Sequence, residues 1–185
     1  MCVWFRGQGL RDKITMRIET TRLEIKEFTP DMAYDVHKNS LDEDNRRFVP
    51  DEVFETEEDA KETIEFLMSQ YGSVEGPLVY PVFRKEDTKN LGYVQMVPID
   101  DGKWEIGYHI AKEFTGKGYA TEAVTAFLPV MADRVNTSEV YGICLSENVA
   151  SKHVLAKCGF EAIFEGTGDY QGEKREIYKS IWKKG

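Results

Sequence analysis

The chain has 185 residues, of which 41% are hydrophobic and 31% charged, and its formal net charge is −9. This length and composition predict one globular domain with a substantial core, and the acidic balance disfavours a general nucleic-acid binder. No apolar run has the length of a membrane span and the N-terminus lacks a signal core, so we expect a cytoplasmic protein. The three cysteines have no metal-ligand spacing, and no metal site or disulfide framework is predicted.

Hydrophobic periodicity and turn residues predict the elements of the first part of the chain. Residues 1–15 are expected to form an N-terminal extension, and 16–185 a single domain. The predicted strands are 22–28, 78–84, 91–99 and 104–110, the last one following an Asp-Gly turn. Two helices are predicted between the first strands, one from Pro30 to about Ser40 and one from Thr56 to about Tyr71.

The second part of the chain alternates helices and strands. A long helix is predicted from Gly118 to about Val135, and Pro129 should kink or shorten it. A buried strand over 139–145, a helix over 148–158 and a final hairpin, 160–165 with 174–182, complete the chain. This order predicts an α+β or mixed α/β fold with helices on both faces of one sheet.

Residues 104–125, WEIGYHIAKEFTGKGYATEAVT, contain the most informative local pattern. Gly116 and Gly118 flank Lys117 where a strand gives way to the long helix. A helix start presents unpaired N–H groups and a positive dipole end, and glycines let an anion approach the backbone closely. The turn is therefore a candidate phosphate cradle, although an ordinary strand-to-helix turn would also need small residues.

Most of the negative charge is concentrated in one segment. Between Asp42 and Glu65 there are eleven acidic residues against three basic ones. A solvated helix face explains such a run, and so does a field that gathers a cationic substrate into a nearby cleft.

Two spaced motifs give the chain a family resemblance. They are Gly-Lys-Gly-Tyr-Ala-Thr-Glu-Ala at 116–123, and Asn-Val-Ala-Ser with Lys-Cys-Gly-Phe at 148–151 and 157–160. With the strands that precede them they resemble the GNAT acetyltransferase superfamily. The steps Thr21-Arg22-Leu23 and Gly107-Tyr108 are similar to its branch of ribosomal-protein N-terminal alanine and serine acetyltransferases and spermidine acetyltransferases. The resemblance implies a mostly antiparallel twisted sheet of about six to seven strands.

The resemblance also implies where acetyl-CoA binds. The turn would hold its pyrophosphate through backbone N–H groups, Lys117 would add charge, and Thr121 would cap the turn. The residues expected to offer N–H groups are Thr115, Gly116, Gly118, Tyr119 and Ala120. The strand end His109, Ile110 and Ala111 would pair with the pantetheine arm, while Asn148 and Ser151 would contact the coenzyme. The family loop begins with Gln or Arg, and Glu113 stands at that position here.

The resemblance assigns the catalytic acid and base less completely than the coenzyme site. Many relatives carry a tyrosine seven residues after the asparagine, which protonates the leaving thiolate, but this position is Leu155 here. Ser151 is a candidate substitute, or simply a hydrogen-bonding residue of the helix or coenzyme site. Glu105 stands where many relatives place a carboxylate that binds or deprotonates the amine, although a structural role is an equal alternative. His109 is expected to face the coenzyme or to pack.

The leading functional hypothesis is therefore an acetyl-CoA-dependent N-acetyltransferase that acts on a cationic primary amine. A peptide N-terminal α-amine, a polyamine and an aminoglycoside-like small amine are the acceptors considered. The alternative is a non-catalytic acyl-CoA-binding or sensing module, because the tyrosine acid and the usual Gln or Arg are both missing. The sequence leaves open whether the protein is a monomer or a homodimer.

Overall fold

A computed structural model of the chain describes residues 2–3 and 15–185. Within these residues nine strands form one sheet in the order β1-β2-β3-β4-β5-β6-β7-β9-β8. The strands are β1 (Cys2–Val3), β2 (Arg17–Glu19), β3 (Leu23–Lys26), β4 (Leu78–Arg84), β5 (Asn90–Ile99), β6 (Lys103–Ile110), β7 (Glu139–Leu145), β8 (Glu161–Tyr170) and β9 (Glu173–Lys183). The helices are α1 (Ala33–Ser40), α2 (Glu43–Phe48), α3 (Glu57–Gln70), α4 (Tyr119–Arg134) and α5 (Val149–Lys157).

The sheet confirms the predicted mixed and mostly antiparallel fold. Neighbouring strands are antiparallel everywhere except between β6 and β7, which are parallel. The strand number exceeds the predicted six to seven, partly because the short strands β1 and β2 extend one end of the sheet. Strands this short carry too few residues for a period of two to be recognised.

Helices cover both faces of the sheet, as predicted. Helix α4 packs against the central strands through a buried core that includes Phe127, Leu128 and Met131. On the other face, α1 and α3 form a second cluster around Ile64 and Leu67. This division leaves each central strand with one face toward α4 and one toward the α1–α3 layer. Within the described residues no helix is long and apolar enough to cross a membrane.

The predicted element boundaries are confirmed for most elements, with three differences. Helix α2 was not predicted, and α4 ends at Arg134, close to the predicted Val135, without being shortened at Pro129. The predicted end of the first hairpin strand at residue 165 is wrong, because β8 continues to Tyr170 and the hairpin turns only at residues 171–172. The glycines at 166 and 168 lie in the strand, where an added side chain would meet Phe164 or Ile177.

The predicted extension is only partly described. Residues 2 and 3 pair with Glu19 and Ile18 as edge strand β1, whereas residues 1 and 4–14 lie outside the described residues. Met16 is already buried, and its N–H donates to the Glu27 carboxylate at 3.0 Å. The domain boundary at residue 16 stays a prediction.

Gly142 of β7 provides a test of how α5 is held on the sheet. A Cβ at Gly142 would lie 2.5 Å from Cδ2 of the buried Leu155. We expect Gly142→Ala to lower the free energy of unfolding by about 1–3 kcal/mol, since α5 has to move. Urea unfolding measures the change, and Gly72→Ala is the matched control because no atom lies within 4 Å of a Cβ there. Equal stability of the two variants would contradict this packing.

Candidate active site

The site is built where β6 and β7 separate. These parallel strands have one paired position, Glu105 with Tyr141, and the chain of β6 then diverges from β7 toward Ile110. A cavity of about 1010 Å³ opens between them and extends to both sides of the sheet. Its lining includes the β6 residues from Glu105 to Ile110, the turn before α4 and the first turn of α5.

The strand end 109–111 was expected to pair with the pantetheine arm, but only alternate residues direct their backbone groups toward this cavity. The Ala111 N–H donates to the Leu91 carbonyl at 2.8 Å, so this group is already used inside the sheet. The His109 carbonyl points at Gly92, where an added Cβ would lie 2.0 Å from it. Since backbone groups alternate in direction along a strand, those of Tyr108 and Ile110 face the diverging β7. The backbone groups of His109 and Ala111 are thus directed at β5, contrary to the expectation that they pair with the coenzyme, whereas those of the also predicted Ile110 and of Tyr108 lie on the open side.

The turn before α4 has the predicted form of an anion cradle. Gly116 and Gly118 have φ angles of +74° and +80°, in the left-handed region that favours glycine. The first helical N–H groups, those of Tyr119, Ala120 and Thr121, precede the first intrahelical bond, from the Glu122 N–H to the Gly118 carbonyl. These residues line the cavity, so three donors at a positive helix end face a space that an anion can occupy.

Three other residues of the turn, Thr115, Lys117 and Thr121, have contacts that bear on their predicted roles. The Thr115 N–H donates to the Lys112 carbonyl at 3.2 Å, so Thr115 is not a free backbone donor. The Lys117 ammonium donates to the Glu113 carbonyl at 3.0 Å, on the loop itself. Thr121 lines the cavity, but no side chain caps α4. The backbone of the α4 start therefore carries most of the capacity to bind an anion.

Arg22, which directly precedes β3, holds this turn in place. The sequence analysis did not predict this role. Its guanidinium donates to the Lys117 carbonyl at 3.0 Å and to the Glu122 carboxylate at 2.6 Å. Thr20 donates to the same carboxylate, and the guanidinium lies 4.5 Å from the centre of the Tyr119 ring. The Thr-Arg-Leu step was the available signal, but its partners lie about one hundred residues further along the chain.

Helix α5 presents the second predicted motif to the cavity. The Asn148 side-chain oxygen accepts the Ser151 N–H at 3.0 Å and so caps the helix, which leaves its amide nitrogen as the donor group. The Ser151 hydroxyl lies 2.8 Å from the hydroxyl of Tyr108 on β6. Leu155 is buried against Gly142. Position 155 thus holds a core residue, and Ser151 carries the hydroxyl that lies beside Tyr108 at the cavity.

Glu105 lies at the base of the opening, on the sheet face of α1 and α3. Burial away from water raises the pKa of Glu105 to about 7, and the negative charge of Glu52 acts in the same direction. Lys179 and the Ile143 N–H oppose the rise. A carboxyl with this pKa accepts and releases a proton near neutral pH, as a general base requires.

His109 faces the same side as Glu105 but has a structural partner. Its Nε2 lies 3.1 Å from the Asp42 carboxylate, which also accepts the N–H groups of Asn45 and Lys112. Burial opposes ionisation of Asp42, but the hydrogen bonds from His109 and Asn45 hold the pKa of Asp42 below its ordinary value. The His109 side chain thus joins β6 to the start of α2, which is the packing role that stood as the alternative to facing the coenzyme.

The acidic segment divides between solvent and cavity. The acidic residues of α3 are exposed, as the solvated-face interpretation expects. Asp44 and Glu52 instead line the cavity, and Gln95 of β5 donates to Glu52 at 3.1 Å. Above them the β8–β9 turn reaches α2, where the Tyr170 hydroxyl donates to the Phe48 carbonyl at 3.2 Å. These groups form the wall of the cavity on the Glu105 side.

Comparison with known proteins identifies the family. Residues 22–161 match the model of the acetyltransferase (GNAT) domain. The chain belongs to the GNAT acetyltransferase family. It is 30% identical over 145 residues to the N-acetyltransferase YnaD of Bacillus subtilis, an alignment that covers 78% of this chain and 82% of YnaD.

Solved structures of acetyltransferases share the fold. A GNAT-family acetyltransferase from Bacillus anthracis superposes with a TM-score of 0.76 at 24% identity, covering 91% of this chain and 98% of the other. A ribosomal-protein-S5-alanine acetyltransferase from Vibrio fischeri superposes with a TM-score of 0.78 at 18% identity, covering 91% and 96%.

Acetyl-CoA, the acetyl donor of GNAT enzymes, fits the site in this acetyltransferase. The donors of Tyr119, Ala120 and Thr121 suit a pyrophosphate, and Gly116 leaves the approach open because no atom lies within 4 Å of a Cβ there. The diverging edge of β6 suits an extended amide-bearing arm.

Gly118→Val tests the cradle. A side chain at this left-handed position should shift the start of α4 and weaken coenzyme A binding at least about tenfold, because the N–H donors lose their alignment. Isothermal titration measures the affinity. Gly102→Val is the matched control, since Gly102 has a φ of +68° in the β5–β6 turn and does not line the cavity. Unchanged affinity in a folded Gly118→Val protein would contradict the assignment.

Glu105→Gln tests the burial of the carboxylate through stability. The folded-state pKa of about 7 lies above the ordinary value of 4.5, so the wild-type protein loses stability relative to the variant as pH rises through this interval. We expect the variant to be more stable by roughly 2–3 kcal/mol at pH 8, with the difference vanishing near pH 4.5. Urea unfolding across pH measures it, with the exposed Glu139→Gln as control. A gain that is independent of pH would contradict the raised pKa.

Proposed function

We propose that this GNAT enzyme transfers the acetyl group of acetyl-CoA to a cationic primary amine, with a peptide N-terminal α-amine as the best acceptor. The observation that carries the proposal is the Glu105 carboxyl, with its pKa of about 7, at the base of the opening between β6 and β7. The cradle at α4 lies on the same cavity, so one space joins an anion site to a base.

The chain divides the chemistry between the two faces of the opening. Bound acetyl-CoA supplies an activated acetyl thioester. The α4 donors and the Tyr108–Ile110 edge hold and orient the donor, so that proximity supplies several kcal/mol of the catalysis. Glu105 accepts the proton of the attacking amine, directly or through water. Ser151 donates a hydrogen bond toward the leaving sulfur, in place of the tyrosine that is absent at position 155.

The pKa of Glu105 favours an α-amine over a lysine-like amine. An α-ammonium has a pKa of about 8, so its proton passes to Glu105 at a cost of about one pK unit. A lysine ammonium, with a pKa of about 10.4, would cost more than three. A peptide amine also agrees with the Vibrio fischeri protein of the same fold, which is a ribosomal-protein-S5-alanine acetyltransferase.

The acceptor side of the cavity supports a cationic substrate. Glu52 and Asp44 line it together with Glu105, and the acidic face of α3 lies beside it. Phe48 and Tyr170 supply aromatic surface at the α2 and β8–β9 walls. Carboxylates around a low-dielectric cleft concentrate cations, and aromatic rings pack against the aliphatic stems of basic side chains.

Thiol release from acetyl-CoA across a panel of amines tests the function. The panel contains a basic peptide with a free N-terminal alanine, its Nα-blocked form, spermidine and an aminoglycoside. We expect the free peptide to react fastest, and its rate to fall as ionic strength rises because the attraction is screened. Binding of acetyl-CoA without turnover of any amine would contradict the proposal and favour the sensing module.

Glu105→Gln identifies the base in the same assay. We expect kcat to fall by roughly 10²–10⁴-fold, the range for a general base, while the affinity for acetyl-CoA stays unchanged. The wild-type rate should also fall as pH drops below about 7, because Glu105 becomes protonated. Glu139→Gln on the exposed part of β7 is the control. A Glu105→Gln enzyme with normal turnover would remove the assigned role.

A further inference from the structure

Tyr108 makes a contact that the proposed chemistry does not yet use. It lies on β6 between Gly107 and His109, and its side chain points toward α5, on the face opposite Glu105. Its hydroxyl lies 2.8 Å from the Ser151 hydroxyl and 3.1 Å from the Ser151 carbonyl. Both residues line the cavity, so this contact spans the opening at the first turn of α5.

Counting protons shows that the pair has two arrangements. Each hydroxyl carries one proton and two acceptor lone pairs. In the closed arrangement, Ser151 donates to Tyr108 and Tyr108 donates to the Ser151 carbonyl, so both protons are used within the pair. In the open arrangement, Tyr108 donates to the Ser151 hydroxyl oxygen, and the Ser151 proton can point into the cavity or toward the neighbouring Cys144 sulfur. The two arrangements interconvert by rotating hydroxyl hydrogens, without breaking a covalent bond.

We propose that Tyr108 is a positioning residue that holds Ser151 in the open arrangement when a thiolate is present, so that Ser151 hydrogen-bonds the sulfur of coenzyme A. The inference rests on the proposed function, because it places the coenzyme sulfur on this side of the cavity. An anion beside Ser151 selects the open arrangement, since only that arrangement offers it a donor. A hydrogen bond to a charged acceptor is also stronger than one between neutral groups.

The surroundings of the pair favour hydrogen-bond donation over proton transfer. Burial raises the pKa of the Tyr108 hydroxyl, so the phenol keeps its proton beside a thiolate of pKa about 8.5. The neighbouring titratable groups are Cys144 on β7 and Cys158 at the end of α5. Burial raises the pKa of Cys144 to about 11 and raises that of Cys158 as well. The coenzyme thiol is therefore the group that ionises first in this part of the cavity.

The test measures binding and needs no turnover. Coenzyme A and desulfo-coenzyme A, which lacks the thiol, are titrated calorimetrically at several pH values from 7 to 9.5. A donor that stabilises the thiolate lowers the thiol pKa in the complex, so the affinity for coenzyme A rises with pH until the free thiol also ionises. We expect the affinity of wild-type protein for coenzyme A, relative to the desulfo analogue, to rise about tenfold across this range.

Substitutions then assign the effect to the pair. Tyr108→Phe should reduce the rise at least about threefold, because the Ser151 hydroxyl loses the hydrogen bond that polarises it and orients it toward the sulfur. Ser151→Ala should abolish the rise, and the double variant should match Ser151→Ala. Tyr141→Phe on β7, whose side chain does not line the cavity, should behave as wild type. Affinity for desulfo-coenzyme A verifies in each variant that the site is folded.

The outcomes separate this inference from the proposed function. A Tyr108→Phe profile that coincides with that of wild type overturns the role of Tyr108 and leaves the acetyltransferase function intact. A flat wild-type profile removes the thiolate contact altogether. Protein that binds coenzyme A with the expected pH dependence but acetylates no amine supports the pair and contradicts the proposed function. Protein that binds neither compound contradicts both.

Discussion

The separation of two parallel strands is the constraint on which the rest of this structure depends. Strands β6 and β7 are paired at Glu105 and Tyr141, and each is held on its other side by an antiparallel neighbour, β5 or β9. Because β5 and β9 hydrogen-bond the outer sides of β6 and β7, the gap between β6 and β7 can stay open without unfolding the sheet. The gap gives one cavity access to both faces, so the α4 start, the α5 start and Glu105 all border the same space.

Each wall of that space is fixed by a contact between distant parts of the chain. Arg22 joins the first strands to the turn before α4, and Asp42 joins α2 to His109. Tyr170 ties the last hairpin to α2. These contacts hold polar groups that would otherwise move independently, and a preorganised polar site stabilises developing charge without reorganising during the reaction. The energy that maintains the site therefore comes from the fold rather than from the catalytic residues.

Glu105 shows the cost of such a site. A buried carboxylate destabilises the folded protein at neutral pH, and the same burial gives the group a pKa suited to accepting an amine proton. The opposite face of the opening follows a different principle, since Tyr108 and Ser151 stay neutral and offer hydrogen bonds. In the proposed mechanism one face thus exchanges a proton while the other accommodates a charge, and the diverging strands keep the two apart.

The sequence by itself determined the features that depend on neighbouring residues. Helix α3 begins at the Thr56 capping box, and the glycines at 116 and 118 adopt the left-handed angles that their residue type permits. The tertiary structure decided what distant residues do to one another: His109 lies against Asp42, and the loss of water around Glu105 raises its pKa. Periodicity and capping are local and can be read along the chain, whereas burial, pKa and hydrogen-bond partners depend on which segments the fold brings together.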